Sequence, residues 1–163
     1  MTISFGTDGW RAVIADNFTF TNLRLVSQAI ADAVISDDWL KGADNVDEAR
    51  TMVVGFDTRF LSDRFAREVA RVLAANGIRV YLTHADAPTP AISFSVTDLG
   101  VAGAVMVTAS HNAPRYNGIK IKASYGGSAL PQQCRQIERH LADNESQSRG
   151  PKLMDFDRAV AAG

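Results

Sequence analysis

The sequence predicts a single three-layer α/β domain, in which helices flank a mixed, mostly parallel sheet of about four strands. Three apolar runs, at residues 51–56, 78–82 and 101–107, have the length of strands. Segments in which apolar residues recur at helical spacing separate these runs. A strand, a helix and a second strand in this order are typical of parallel pairing through a right-handed crossover.

The predicted helices begin and end at recognisable signals. Thr21 or Asn22 can cap the first helix and Ser62 the second, which Asn76 and the glycine after it would end. Pro131 suits the first turn of the last helix. Four helices are expected. The first runs from Thr21 or Asn22 to about residue 40, and the others cover residues 62–76, 91 to about 97, and 131 to about 144. The prediction assigns residues 1–145 to the domain and 146–163, which open with a polar stretch, to a linker toward a second domain absent from this chain.

Composition limits the class of protein. The 163 residues suffice for one domain with a core. With 17 basic and 18 acidic residues, the formal net charge of -1 gives no reason to expect nucleic acid or a membrane as a partner. The lone Cys134 excludes an internal disulfide and is expected to be a small core residue. Because no apolar leader or membrane-length run is present, we expect a cytoplasmic protein.

The most informative stretch joins a buried strand to a polar loop. Residues 101–107 are apolar or glycine, and Ser110 and His111 follow directly in a run of small polar residues. A loop at the end of a buried strand is a common place for chemistry in α/β proteins. Lys120 lies near the start of a short fourth strand, expected at 119–122. The hydroxyl of Ser110 and the amine of Lys120 are therefore both attached to one tight connection between two strands.

Two other polar segments could contribute to a site. Gly6 and Gly9 form a turn near the amino terminus, and Arg11 follows it. A guanidinium beside a glycine turn suits phosphate or carboxylate binding, although an ordinary surface arginine explains the same pattern. Asp57 and Arg59 come directly after the strand at 51–56, again at its carboxyl end.

The residues alone leave alternatives open. Ser110 is either a nucleophile or a loop hydroxyl bonded to backbone, and Lys120 is either a solvated charge or a group that moves a proton. A Ser-His-Asp hydrolase is disfavoured because no glycines flank Ser110, and because a histidine next in sequence rarely approaches the hydroxyl in line.

Metal binding by this chain's own side chains is also disfavoured. Asp155 and Asp157 have the spacing to share a cation, but no glycine turns the backbone there and no third oxygen ligand is near in sequence. His84 and His140 have no partner at metal-ligand spacing.

Three motifs together resemble a known enzyme family, the α-D-phosphohexomutases, that is, the phosphoglucomutase/phosphomannomutase family. The segments at 108–112 and 116–120 are similar to its active-site signature, the segment at 5–11 to its amino-terminal signature, and the segment at 57–59 to a further motif at its usual place. The resemblance covers essentially the whole chain but only the first of the family's four domains. One departure is Ala113, which precedes Pro114 where the family usually has proline directly after the Ser-His-Asn triplet.

The resemblance implies a mechanism and roles for four residues. Ser110 would be carried as phosphoserine, pass its phosphoryl group to a hexose phosphate, and recover it from the other end of a hexose 1,6-bisphosphate. Lys120 would be the general acid/base, Arg11 would lie close to the phosphoserine, and His111 would contact the site and assist proton transfer. Mg²⁺ would bind the phosphoserine, with Ser110 as its only ligand from this chain. The three aspartates that complete the metal site belong to the family's second domain.

The resemblance also leaves three functional alternatives. The full protein is expected to interconvert hexose 1-phosphate and hexose 6-phosphate, with glucose or mannose favoured and glucosamine as an alternative. Since the metal aspartates and the sugar-binding loops lie in further domains, this portion alone is expected to be inactive. A binding or regulatory module that keeps the fold without catalysis is the remaining possibility.

Overall fold

The computed structural model describes residues 3–6, 9–36, 39 and 50–163. Within them the chain forms five strands and five helices, numbered here in chain order. The strands are β1 (Trp10–Val13), β2 (Thr51–Phe56), β3 (Arg79–Leu82), β4 (Gly103–Val107) and β5 (Tyr116–Ala123). The helices are α1 (Phe20–Ile35), α2 (Ser62–Ala75), α3 (Thr89–Asp98), α4 (Pro131–Ser146) and α5 (Phe156–Ala162). The first helix ends at Ile35, before the predicted end near residue 40, because Ser36 has an extended backbone and caps it. Residues 37, 38 and 40 lie outside the described residues.

The five strands form one sheet in the order β1-β5-β4-β2-β3. The β4–β2 and β2–β3 pairs are parallel, as the sequence predicts, whereas β1–β5 and β5–β4 are antiparallel. The expected α/β class is confirmed, but the sheet has one strand more than expected and is evenly mixed rather than mostly parallel.

The additional strand is β1, which the sequence suggests only as a turn. It has only four residues, Arg11 interrupts its apolar residues, and a glycine turn precedes it, so its pattern is too short to mark a strand. Its pairing with β5, in which Trp10 lies opposite Ile119, holds it in place. A single four-residue ladder is too short to leave a periodic pattern, so tertiary pairing decides this element.

Strand β5 begins earlier than predicted, at Tyr116 rather than at residue 119. The polar and glycine residues at its start suggest a loop, but Asn117 is fully buried in the structure. Its side-chain Nδ2 donates to Ser62 Oγ at 2.9 Å, and its side-chain Oδ1 accepts from Gly118 N at 2.8 Å. A buried amide whose hydrogen bonds are made is tolerated inside a sheet.

The predicted caps of the first two helices are wrong. Thr19 caps α1, because its hydroxyl accepts from Asn22 N at 3.2 Å. Leu61, in the left-handed conformation with φ of 61°, precedes α2, so Ser62 is the first residue of the helix. The Ser62 hydroxyl is instead engaged with Asp57 and Asn117.

The core lies on both faces of the sheet. On one face, α1, α2 and α4 cover a large apolar cluster that includes Val105 and Val107 of β4; on the other, α3 covers a smaller cluster that includes Ala104 and Met106. Cys134 packs against the larger cluster, as expected of a small core residue. This alternation along β4 is why its sequence is apolar throughout. Among the described residues, no helix has the length and hydropathy needed to cross a bilayer.

The segment after α4 returns to the body of the domain. α4 ends at Ser146, two residues beyond its expected end, and the seven-residue α5 lies within the predicted linker. The Arg67 guanidinium stacks on the Phe156 ring at 4.1 Å, and Arg71 Nε donates to the Met154 carbonyl at 2.8 Å. These contacts join the segment to α2.

Glu68 connects α1 with α2 through two arginines. Its carboxylate oxygens each lie 2.6 Å from a guanidinium, one from Arg24 on α1 and the other from Arg71 on α2. Burial alone would raise the pKa of Glu68, but the hydrogen bonds and charges of the two arginines outweigh it and hold the pKa below its usual value of 4.5.

The first prediction concerns this bridge. A depressed carboxyl pKa stabilises the fold above the unfolded-state pKa, and that stability is lost as the pH falls through the folded-state pKa. Glu68→Gln should therefore lower the free energy of unfolding by about 1–2 kcal/mol at neutral pH, because the bridge is charged and only partly exposed. The deficit should shrink as the pH is lowered below 4.5. Urea titrations at several pH values measure this.

Asp86→Asn is the control, since Asp86 is exposed in the loop after β3. It should leave the free energy of unfolding nearly unchanged at every pH. A Glu68→Gln deficit that stayed constant down to strongly acidic pH would contradict the role given to the charged bridge.

Candidate active site

The loop between β4 and β5 presents Ser110 to solvent. Val107, Thr108 and Ala109 are buried, and exposure begins abruptly at Ser110. Ser110 has a φ of 56°, in the left-handed region that a non-glycine residue rarely adopts. The Thr108 hydroxyl accepts from Ser110 N at 2.9 Å, which fixes the backbone on the amino-terminal side of the serine. The predicted nucleophile is thus accessible and held in an uncommon conformation.

Asp57 lies next to this loop, where the parallel ladder of β2 and β4 ends. Its N–H donates to the Val107 carbonyl at 3.1 Å, which continues the ladder one step beyond the strands. Its Oδ2 accepts from Thr108 Oγ1 at 2.6 Å, and its Oδ1 accepts from Ser62 Oγ at 3.0 Å and from Arg59 N at 3.0 Å. The carboxylate therefore joins the start of the loop to the start of α2.

The Arg59 guanidinium lies inside the loop and binds four of its carbonyl oxygens. Nη2 donates to Ser110 O at 2.8 Å and to Asn112 O at 2.6 Å. Nη1 donates to Ala113 O at 3.1 Å and to Tyr116 O at 3.0 Å. All four terminal N–H groups of the guanidinium therefore donate to carbonyls, and Nε lies 3.5 Å from Asp57 Oδ2 in an ion pair. Only 13% of this side chain is exposed.

Two glycines let the amino-terminal segment approach the loop. A Cβ on Gly9, whose φ is 105°, would lie 1.9 Å from Ile119 O, and a Cβ on Gly118 would lie 2.6 Å from Trp10 O and 2.8 Å from Arg11 Cγ. Neither position has room for a side chain. Since Arg11 pairs with Gly118 across the sheet, its side chain lies over that glycine, and its Nη1 donates to Asn112 Oδ1 at 3.3 Å. Residues 7 and 8 of the same motif lie outside the described residues.

Lys120 and His111 occupy different environments. Lys120 lies on β5 opposite Met106 and is only 9% exposed. Two residues after Gly118, it lies on the same face of the strand, the face along which Arg11 runs. His111 is exposed beside Ser110. The fold therefore brings Ser110, His111 and Arg11 to one loop, and it places Lys120 on the strand that leaves this loop.

The other ionisable candidates lie elsewhere. Asp155 caps α5 by accepting from Arg158 N at 3.0 Å. His84 is exposed after β3, and His140 is half-buried on α4. Within the described residues, no group of three histidine, cysteine or carboxylate side chains has a geometry that could hold a metal ion.

Sequence reasoning missed the roles of Arg59 and Asn117 in building this site. The polar residues after β2 are visible in the sequence, but nothing in their spacing indicates that a guanidinium binds a loop about 50 residues further on. The available signal is that two strands, β2 and β4, both end in polar residues. Parallel neighbours bring such ends together at one edge of the sheet.

Comparison with known proteins agrees with the resemblance. The family model for phosphoglucomutase/phosphomannomutase, alpha/beta/alpha domain I, matches residues 2–148. A phosphoglucomutase of Staphylococcus saprophyticus is 45% identical over 102 residues, which are 63% of this chain and 18% of that protein.

Solved structures show the same architecture. A Thermus thermophilus protein, provisionally assigned as a phosphomannomutase, superposes with a TM-score of 0.76 at 40% identity, covering 86% of this chain and 30% of that one. The Paramecium phosphoglucomutase pp63/parafusin, in its open form, gives a TM-score of 0.69 at 26% identity, with 85% and 25% covered. This chain thus spans less than a third of the length of each of these relatives.

The fold and the site together define an α/β/α domain that presents a serine at the carboxyl end of a strand, with basic side chains around it. The chain belongs to the phosphoglucomutase/phosphomannomutase family and corresponds to its domain I.

The second prediction tests the close approach of β1 to β5. Gly118→Ala should lower the free energy of unfolding by about 1–3 kcal/mol, because the new methyl group would overlap two backbone carbonyls and Arg11. Urea denaturation followed by circular dichroism measures this. Gly150→Ala is the matched control, since a Cβ there would meet nothing within 4 Å. Equal stabilities for the two variants would contradict the packing described.

Proposed function

We propose that this chain is the first domain of an enzyme that interconverts hexose 1-phosphate and hexose 6-phosphate of glucose or mannose through a phosphoserine at Ser110. The exposed serine on a rigid loop at the end of β4 carries the proposal. Phosphoryl transfer depends mainly on positioning and on charge stabilisation. This loop offers an exposed serine whose backbone is anchored, and the Arg11 guanidinium is bound to Asn112 of the same loop. Family membership supports the same chemistry.

The proposed reaction has two transfers. In the first, a bond forms between phosphorus and a free hydroxyl oxygen of the hexose phosphate while the bond from phosphorus to Ser110 Oγ breaks. The proton that leaves the sugar hydroxyl balances the one that Ser110 Oγ takes up. The resulting hexose 1,6-bisphosphate turns round, and the second transfer returns its other phosphoryl group to Ser110, releasing the isomeric monophosphate.

Three further residues have proposed roles in these transfers. Lys120 is the candidate for moving the proton, since it is largely buried on the strand that leaves the loop. Arg11, anchored to Asn112, would offset the negative charge of the phosphoryl group. His111, exposed beside Ser110, would contact the reacting groups and assist proton transfer.

Mg²⁺ is part of the proposal, and the residues of this chain fit one ligand of its site. A phosphoryl oxygen on Ser110 is the kind of hard donor that Mg²⁺ prefers, and the ion would supply stabilisation of the charge that develops during transfer. The Asp57 carboxylate lies beside the loop, but its oxygens already accept hydrogen bonds from Thr108, Ser62 and Arg59. The remaining ligands would therefore come from other parts of the protein, so this domain alone is proposed to be inactive. Cytoplasmic residence stays a prediction.

The third prediction tests the nucleophile. In the full-length protein, Ser110→Ala should abolish nearly all turnover, because the other hydroxyl residue described in the loop, Thr108, is buried. A coupled assay for hexose 6-phosphate measures the rate, and intact mass before and after exposure to the 1,6-bisphosphate shows whether one phosphoryl group is gained. Ser124→Ala, in an exposed turn, is the control and should behave like the wild type. Near-normal turnover of Ser110→Ala would exclude the proposed phosphoserine.

The fourth prediction tests proton transfer by Lys120. Lys120→Met keeps the length and the apolar stem of the side chain and removes the amine, so kcat should fall roughly 10²-fold or more. Lys122→Met is a matched control, since Lys122 is similarly buried at 7% exposure, lies two residues further on, and shares the same face of β5. Steady-state kinetics should show a much smaller change for the control. A similar loss in both variants would indicate a general effect of charge or packing.

A further inference from the structure

We propose that Arg59, held by Asp57, is a positioning residue that keeps Ser110 in its reactive conformation without touching the sugar phosphate. The inference rests on the proposed function, because it assigns Arg59 a role in the rate of phosphoryl transfer. It goes beyond that function by naming the device that holds the nucleophile.

The first argument is the number and distribution of the hydrogen bonds. One guanidinium reaches the carbonyls of residues 110, 112, 113 and 116, so it binds the loop at both ends and at its centre. The planar fork of arginine supplies these directions at once, whereas a lysine ammonium has three donors at a single atom. Few other side chains could bind four carbonyls of one short loop.

The second argument is the conformation of Ser110. A left-handed backbone at a non-glycine residue such as Ser110 is energetically unfavourable, so surrounding contacts must hold it. Here Thr108 Oγ1 accepts from the Ser110 N–H, and Arg59 binds the Ser110 carbonyl. Asp57 completes the circuit, since it accepts from Thr108 and faces Arg59 Nε. Both sides of the serine are therefore tied to one ion pair.

The third argument is the direction of the loop's peptide dipoles. Because the peptide bonds are trans, a carbonyl that points at Arg59 directs the N–H of the next residue away from it. This applies to the N–H groups of His111 and Ala113, and neither donates to another described residue. Outward N–H groups beside an exposed serine favour a negatively charged group there. By binding the loop carbonyls, Arg59 thus orients these N–H groups toward the position of an anion that Arg59 does not itself contact.

Steady-state kinetics of variants in the full-length protein test the proposal. Arg59→Lys and Arg59→Ala should each lower kcat about 10²-fold, the scale expected of a small misplacement of a reacting group, while KM for the hexose phosphate stays within about threefold. The two KM values should hold because Arg59 is bound to backbone and to Asp57. Arg64→Ala is the matched control, an exposed arginine on α2, and should leave both constants unchanged.

Chemical rescue separates positioning from general stability. In Arg59→Ala, millimolar methylguanidinium should enter the vacated space, which reaches the surface, and restore part of the lost kcat. In Arg59→Lys the side chain occupies that space, so no recovery is expected. Wild-type kcat in Arg59→Lys, or a loss in Arg59→Ala that methylguanidinium leaves unchanged while the protein remains folded, would overturn the proposal. If Arg59→Ala does not fold, Asp57→Asn replaces it: a large fall in kcat supports the role, and an unchanged kcat overturns it.

Amide exchange measured by NMR distinguishes this proposal from the proposed function. Asn112 N and Tyr116 N donate within the loop, to Ala109 O at 3.0 Å and Ala113 O at 2.9 Å. Both amides should exchange faster in Arg59→Lys than in the wild type, whether or not the protein turns over hexose phosphates. An inactive wild type would overturn the proposed function, whereas unchanged exchange of these two amides would overturn the positioning role.

Discussion

The ion pair between Asp57 and Arg59 is the interaction on which the candidate site depends. The loop after β4 has no regular ladder of its own between Thr108 and Tyr116, so its carbonyls need other donors. Arg59 supplies four of them at once, and Asp57 orients the guanidinium while binding the Thr108 hydroxyl. A loop that would otherwise sample many conformations is thereby tied to the adjacent strand end. Asp57, Arg59 and Thr108 therefore hold the backbone of the exposed Ser110 in place.

The mixed topology of the sheet explains why these groups meet. Parallel pairing of β2 with β4 places their carboxyl ends side by side, so Asp57 follows one strand where Thr108 follows the other. Antiparallel pairing of β5 with both β4 and β1 then returns the chain to the same edge and adds Arg11 from the amino-terminal segment. An all-parallel sheet would need a crossover of a dozen or more residues between β4 and β5. The tight reversal keeps Ser110 and Lys120 only ten positions apart.

Much of this arrangement could be predicted from the sequence, and the exceptions have a common cause. The bounds of β2, the parallel pairing of β2 with β3, and the polar loop after β4 follow from local patterns of hydropathy. Strand β1 and the start of β5 do not, because Arg11 interrupts the first and Asn117 and Gly118 open the second, and both become strand only when the two segments pair. The α1 cap was missed by two or three positions, since several hydroxyl and amide residues near 19–22 can all serve as caps. The contacts of Arg59 could not be predicted, because the sequence does not indicate which distant residues a long, flexible side chain will bind.

Under the proposed function, the same contacts explain how a first domain could position a nucleophile for a substrate site that other domains complete. Asp57 and Arg59 face each other and are hydrogen-bonded to neighbouring backbone and hydroxyl groups, so their polar atoms are already engaged within the domain. The loop presents the Ser110 hydroxyl, the His111 imidazole and two N–H groups, and the basic side chain of Arg11 lies next to it. These groups favour a negatively charged group such as a phosphoryl. Under the proposed function, this domain fixes the position of the phosphoryl group, and the choice of sugar is made by residues that approach from the open side of the loop.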